Sequence, residues 1–304
     1  MPRLSILTPA YDRADTLPRL HESLLEQDYA DFEWVLVDDG SSDGTGELVR
    51  GWAEESPFPI RYCWQENQGK HVAVNRCVEL AAGELCALID SDDTYTPGAL
   101  SEMVGVWDSI PAAARDGFAN VEGLRTDFDG NPVGDRFPAD VFDSDTFEIE
   151  ALHGVRGDTV GMYRTDVLRR FPFPDDLGWH VTPSLIWNRI AARYRTRFVN
   201  RVWSLTGYAG GGLSDRETEL RLRYPEAQLI YWDEYAAMPR RMTPRNRLRA
   251  NANRCRYALH SRRFALAAPW RSPTPLWALA ALPAGSLLFL RDLWRSRRPG
   301  GAGR

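Results

Sequence analysis

The sequence predicts an α/β fold: a mostly parallel, doubly wound sheet flanked by helices, followed by a helical C-terminal extension. Three observations carry that reading. Short apolar runs alternate with segments of helical periodicity over the first hundred residues, the pattern of parallel strands joined by right-handed crossovers. The run Leu85-Cys86-Ala87-Leu88-Ile89 is uncharged and too short for a helix, as expected of a central strand buried on both faces. It passes directly into Asp90-Ser91-Asp92-Asp93, so these acids fall at a strand's carboxyl end, where open α/β sheets hold their ligands.

Each element has its own signal. Leu4-Ser5-Ile6-Leu7-Thr8-Pro9 is an apolar strand stopped by proline, and residues 14–26 carry Leu17, Leu20, Leu24 and Leu25 at helical spacing. Phe32-Glu33-Trp34-Val35-Leu36-Val37 is a second strand. The Gly- and Asp-rich turn after it leads into a helix over residues 46–54. Residues 60–64 form a third strand; residues 71–82 form a helix, with Gly83 as its C-cap. After the acidic strand end, Thr96-Pro97 reads as an N-cap and first-turn proline for a helix reaching Trp107. Residues 116–145 read as Gly-, Pro- and Asp-rich loops with short extended pieces. Helices follow at residues 165–170 and 183–191, a strand at 197–205, a glycine-rich loop at 207–214, and mostly helix over 215–260 with a break near 239–244.

Composition is that of a globular protein, with 43% hydrophobic and 26% charged residues, and the net charge of −5 argues against a general nucleic-acid binder. The acids concentrate early and the arginines late. Cys63, Cys77, Cys86 and Cys255 lack metal-ligand spacing and read as reduced thiols of a reducing compartment. The N-terminus enters a strand at once without a basic-then-apolar leader, so no signal peptide is expected.

Asp90, Asp92 and their neighbours are hard oxygen donors suited to Mg²⁺ or Mn²⁺ with positions left for phosphate oxygens. With Ser5-Ile6-Leu7-Thr8-Pro9-Ala10-Tyr11-Asp12-Arg13, Val37-Asp38-Asp39-Gly40-Ser41-Ser42-Asp43-Gly44-Thr45 and Asn67-Gln68-Gly69-Lys70-His71-Val72-Ala73-Val74-Asn75, this stretch closely resembles the family 2 glycosyltransferases. The resemblance is strong over residues 3–110 and continues more weakly to 215 through Arg164-Thr165-Asp166-Val167-Leu168 and Gly212-Leu213-Ser214. It implies the GT-A fold and a nucleotide-sugar donor, UDP-linked in preference to GDP- or dTDP-linked. Residues 1–215 would then be the transferase domain, with 1–110 the nucleotide-sugar half and 111–215 the acceptor half. Residues 216–304 would be an Arg-rich helical extension with an apolar segment at 274–290. The implied donor-binding residues are Thr8, Pro9, Tyr11 and Arg13 near the nucleoside, Asp39 on the base or ribose, Lys70 at the diphosphate, Asp90 and Ser91 beside the ribose or metal, and Asp92, with Asp90, on the cation. Asp38, Asp43 and Gly44 read as turn-shaping, His71 as packed or capping, Asp93 equally as part of the acidic cluster or as the acid opening a turn, and Trp34, Trp64 and Trp107 as core.

An inverting transfer also needs a base for the acceptor proton. Where the resemblance places that acid, this chain has Thr182 or Pro183, which leaves Asp175, Asp176 and His180 upstream. Asp176 and His180 are the base candidates, the first for its residue type and the second for its intrinsic pKa. Asp158 is a candidate acceptor contact or a loop-forming residue, and the loop Gly210-Gly211-Gly212-Leu213-Ser214 a candidate lid. The departure at Pro183 keeps open a sugar-nucleotide-binding partner without catalysis. A sugar-phosphate nucleotidyltransferase is disfavoured, because Thr8-Pro9-Ala10-Tyr11 stands where its glycine-rich signature belongs.

Nine arginines lie between Arg240 and Arg263, followed by an apolar run from Leu276 to Leu290 and a basic end. The run falls short of the roughly 20 residues that span a bilayer, and Trp270 and Trp294 with flanking arginines suit an interface. The expectation is peripheral contact with the cytoplasmic face of the plasma membrane through a helix or helical hairpin, with a glycan or lipid-linked acceptor.

Overall fold

The computed structural model describes residues 1–207, 216–238 and 242–296. Its elements are β1 (Leu4–Ala10), α1 (Leu17–Leu25), β2 (Phe32–Asp38), α2 (Thr45–Glu55), β3 (Ile60–Trp64), α3 (Lys70–Leu80), β4 (Leu85–Leu88), β5 (Thr94–Tyr95), α4 (Ala99–Asp108), β6 (Phe118–Asp127), β7 (Val141–Ser144), α5 (Thr146–Ala151), β8 (Thr159–Arg164), α6 (Thr165–Arg170), α7 (Ser184–Ala191), β9 (Arg195–Thr206), α8 (Glu217–Arg223), α9 (Pro225–Ala237), α10 (Pro244–His260), α11 (Phe264–Ala267) and α12 (Pro275–Ser296). Two compact units divide them: Met1–Asp175 with Ile186–Gly212, and Asp176–Leu185 with Leu213–Arg304.

In the first unit the described strands form one sheet in the order β3-β2-β1-β4-β8-β6-β9-β5, with β7 beside β9. From β3 to β4 all neighbours are parallel; β8 then runs antiparallel to both β4 and β6. Every residue of β1 and β2 is buried, because helices cover both faces. Leu17, Leu20 and Leu24 of α1 and Leu100, Met103 and Trp107 of α4 pack with Ile6, Trp34 and Ala87 on one face. On the other, α3 brings buried Ala73, Val74 and Cys77 against β1 and β2. The thiols of Cys77 and Cys86 are buried and unbridged, and burial pushes Cys86 up to about 12.

Several expectations change. Residues 118–127, read as loop, are the long strand β6: its alternation is broken by Asn120 and Glu122, which are buried and satisfy each other. Glu122 accepts hydrogen bonds from Asn120 Nδ2 (2.8 Å), Tyr163 Oη (2.8 Å) and Thr159 Oγ1 (2.9 Å), and Asn120 accepts one from Thr196 (2.6 Å). Gly83 is not a C-cap, since α3 ends at Leu80. A Cβ there would sit 2.7 Å from Ser5 N, so only glycine lets the chain pass this close to β1. The first-turn proline is likewise displaced: α4 starts at Ala99 after Gly98, and the Thr96 hydroxyl donates to Val202 O instead. Trp34 and Trp107 are core, but Trp64 lies exposed on the edge strand β3.

In the second unit the described helices are α8 to α12. Arg254 of α10, 2% exposed, pairs with Asp233 of α9, and α10 also packs along α12, a single helix that continues through Pro283. The glycine-rich run at 210–214 and part of the break near 239–244 lie outside the described residues.

Candidate active site

Because β1 pairs in parallel with both β2 and β4, the carboxyl ends of these three strands open side by side. The loops after β1 and β2 are laced together. Asp12, in the left-handed region at φ 48°, donates its N–H to Ser41 Oγ (2.9 Å) and accepts from Ser42 N (2.8 Å). Asp43 accepts from Ala14 N (2.9 Å), and Asp38 from Ser41 N (2.8 Å) and Tyr62 Oη (2.7 Å), the turn-shaping roles expected of those acids. This lacing leaves Tyr11 exposed at the loop surface.

Asp39 follows β2 and is buried. Its Oδ1 accepts from Gln65 Nε2 (2.7 Å) and Gln68 N (3.0 Å), and its Oδ2 from Gly69 N (2.8 Å). Gly69, at φ 96°, is the N-cap of α3, so Asp39 sets where that helix begins. Oδ1 is saturated by two donors, whereas Oδ2 keeps a lone pair. Lys70, the first residue of α3, reaches from there to Asp90 Oδ1 at 2.7 Å. Burial opposes ionisation of Asp90. The Lys70 ammonium, and then the fields of Arg125 and Arg13, outweigh it and hold the carboxyl below its usual range.

Asp93 does more than open a turn. It is 3% exposed and ion-paired with Arg125 of β6, itself 12% exposed. Burial pushes its carboxyl up to about 6, against the pull of Arg125 and with a further push from Asp90 and Asp92. Arg125 also donates Nε–H to Thr159 O (2.9 Å) and feels the charge of exposed Asp158. Nothing in the sequence marked Arg125, because the strand that carries it lacks an apolar alternation.

Of the residues singled out from sequence, Arg13, Lys70, Asp90 and Asp92 share one electrostatic cluster, and Ser91 is buried in the turn between the acids. Pro9 is buried near the end of β1. Thr8 is a correction. It is wholly buried, its hydroxyl accepting the Trp34 indole N–H at 3.0 Å, so its side chain belongs to the core rather than to a ligand surface. Exposed Asp176 and half-buried His180 belong to the second unit, as do buried Thr182 and exposed Pro183.

Among the described residues no three metal-ligating side chains converge. Asp90 is engaged by Lys70 and Asp93 by Arg125, while among the described residues no side chain or backbone group donates to half-buried Asp92. One uncommitted carboxylate beside a second does not make an all-protein cage. It does fit a Mg²⁺ or Mn²⁺ ion that takes its remaining ligands from water and a diphosphate.

A profile described as Glycosyl transferase family 2 matches residues 5–170. The GalNAc(5)-diNAcBac-PP-undecaprenol beta-1,3-glucosyltransferase of Campylobacter jejuni is 32% identical over 125 residues, 40% of this chain and 38% of that protein. The chain spans 27 to 41% of the length of four curated relatives that it matches. Among solved structures, S. aureus TarS residues 1–349 in complex with UDP has a TM-score of 0.63 at 16% identity, over 98% of this chain and 93% of that one. The mannosyltransferase PcManGT from Pyrobaculum calidifontis, in complex with GDP-Man and Mn²⁺, has a TM-score of 0.55 at 23% identity, over 98% and 81%. At these identities the likeness is one of fold. With the family profile matching more than half of its length, the chain belongs to glycosyltransferase family 2 and has the GT-A fold.

Proposed function

We propose that the protein is an inverting glycosyltransferase that moves a sugar from a nucleoside diphosphate, UDP in preference, to a hydroxyl of a glycan or lipid-linked acceptor. The observation that carries this reading is the end of β4, where Asp92, with no donor among the described residues, stands beside an Asp90 that feels the charges of Lys70, Arg125 and Arg13. A diphosphate with a shared divalent cation suits that charge pattern better than a bare anion or a resident metal. The TarS complex with UDP and the PcManGT complex with GDP-Man and Mn²⁺ support a nucleotide donor and a cation. The name of the Campylobacter relative supports a lipid-linked acceptor.

Bound by Asp92 and Asp90, Mg²⁺ or Mn²⁺ supplies Lewis-acid stabilisation of the charge developing on the leaving diphosphate. Lys70 and the first N–H groups of α3 meet the same oxygens. Asp39 accepts a nucleoside N–H or ribose hydroxyl at Oδ2, the oxygen with a lone pair left. Tyr11 supports the base, with Pro9 beneath it and Arg13 alongside, and Ser91 lies beside the ribose. Asp158 contacts the acceptor, whose proton passes to Asp176 or His180. The setting is cell-envelope or polysaccharide synthesis in the cytoplasm, with peripheral contact at the inner face of the plasma membrane through the C-terminal segment.

A thermal-shift screen of nucleotide sugars with and without Mn²⁺ identifies the donor. Donor hydrolysis or transfer that requires Mn²⁺ and disappears in Asp92→Ala is the expected result; undiminished turnover in that variant removes the proposal. The position of Pro183 favours one other reading, a sugar-nucleotide-binding partner without catalysis. Cation-dependent binding with no turnover towards any acceptor would establish it.

A further inference from the structure

Helix α12 is amphipathic in reverse. Its packed side is made of small residues: Ala278 and Ala281 are buried, and a Cβ on Gly285 would fall 2.7 Å from both Ala252 O and Cys255 Cβ of α10. Its outward side carries Leu276, Leu279, Leu287 and Leu290, which are 83, 61, 66 and 57% exposed. At about 100° per residue these leucines fall within an arc of roughly 80°, opposite the buried row of Ala278, Ala281, Gly285 and Asp292. Trp270, 78% exposed, stands on the turn Pro269–Arg271 that packs beside the helix. A soluble surface helix points such a stripe at the core; this one points it at the surroundings, where water is the least favourable neighbour.

Charge selects the occupant. Residues 242–304 hold thirteen arginines against a single acid, Asp292, in a chain whose net charge is −5. Two copies of so cationic a region repel each other, whereas an anionic surface attracts it. Length and composition alone would let Pro275–Arg295 cross a bilayer. The packed side argues against crossing, because α10 lies along α12 bearing Arg245, Arg247, Arg249, Arg254 and Arg256, and would be drawn into hydrocarbon with it. Asp292, buried and paired with Arg256 and His260 (3.0 Å), fixes α12 to that arginine-bearing helix.

We propose that α12 lies in the plane of an anionic phospholipid leaflet, its leucine row in the acyl boundary and the surrounding arginines at the headgroups. This rests on the peripheral membrane contact put forward above and names the surface and the lipid charge that make it. Flotation of the full chain with vesicles of phosphatidylcholine and phosphatidylglycerol in equal parts tests it. The protein is expected to float, less so in high salt or with phosphatidylcholine alone. Replacing an exposed leucine by serine weakens partitioning about tenfold, so Leu276→Ser with Leu287→Ser weakens it about a hundredfold. The pair Leu276→Phe and Leu287→Phe retains it. Protein left at the bottom, equal flotation on neutral vesicles, or a serine pair that floats like the parent overturns the proposal. So does a serine pair that only splits a dimer, which makes the stripe a subunit contact. Asp92→Ala is expected to float normally; if it also kept its turnover, the catalytic reading would fail while the membrane reading stood.

Discussion

Replacing Arg125 by methionine tests the charge balance behind the acids of β4. Methionine fills much of the arginine stem, so what is removed is the guanidinium. Asp93, 3% exposed, then holds a buried charge without its partner, and breaking a buried pair from one side costs about 3–5 kcal/mol. The lost Nε–H bond to Thr159 O adds about 1 kcal/mol. The pH dependence separates these two contributions. Asp93 ionises at about 6 in the folded protein, above its unfolded value near ~3.9, so the folded state holds the extra proton between them. Stability from this group is therefore complete below the unfolded value and is lost as pH rises through the window towards 6, at about 1.4 kcal/mol per unit. Without Arg125, its strongest attractive partner, the folded value climbs and the window extends above 6. Urea unfolding followed by tryptophan fluorescence should show a penalty at pH 8 that shrinks by about 1.4 kcal/mol per unit as pH falls through the extended window. Adding Asp93→Asn should flatten that dependence and return part of the stability. An equal penalty at pH 5 and pH 8 would refute the reasoning, because it would mean that no uncompensated carboxylate had been created.

Three further outcomes follow from the same geometry. Lys70→Ala removes the cation 2.7 Å from Asp90 and is expected to raise the donor KM about tenfold with a smaller change in kcat, the size of one charge-assisted hydrogen bond; initial rates of Mn²⁺-dependent donor hydrolysis check it. Gly83→Ala places a methyl 2.7 Å from Ser5 N and 2.8 Å from Leu4 C and should cost about 1–3 kcal/mol in urea unfolding. Glu122→Gln keeps an acceptor for Asn120 and Tyr163 at one oxygen but sets an amide donor against the Thr159 hydroxyl at the other, at about 1–3 kcal/mol, and unchanged stability would show that this hydroxyl turns away without cost.

The parallel half of the sheet was legible because its signals are local. Ile60–Trp64 and Thr165–Arg170 appear where the run of residues places them, and the other early elements shift by a few positions at most. In the other half β9, α6 and α7 were legible as well, whereas β6, β7 and β8 were not, and for β6 the reason is physical. In β6 the buried run of Phe118, Ala119 and Val121 is interrupted by Asn120 and Glu122, acceptable there because Thr159, Tyr163 and Thr196, all far along the chain, complete their hydrogen bonds. A pattern of apolar residues cannot report partners of that kind. The site divides in the same way. Acids at strand ends announce themselves, whereas the commitment of Asp93 to Arg125, and of Asp39 to the start of α3, depends on contacts across 32 and 30 positions. Thr8 and Trp64 exchanged their expected places because a motif does not say which face of a strand, or which edge of a sheet, a side chain occupies.

The reversal of direction at β8 has a consequence for how such a protein can diversify. Because β8 runs against both β4 and β6, Thr159 sits opposite Leu124 at the end of the sheet where Asp93 meets Arg125. The thirty-odd residues between Asp127 and Thr159 thus depart from and return to one point beside the carboxylates. The middle of that excursion is held as well, by the pairing of β7 with β9 and by Phe137 and Ile149 packed with Phe198. The stretches free to change length or chemistry are therefore the exposed ones between these anchors, and a change there leaves the acids in place.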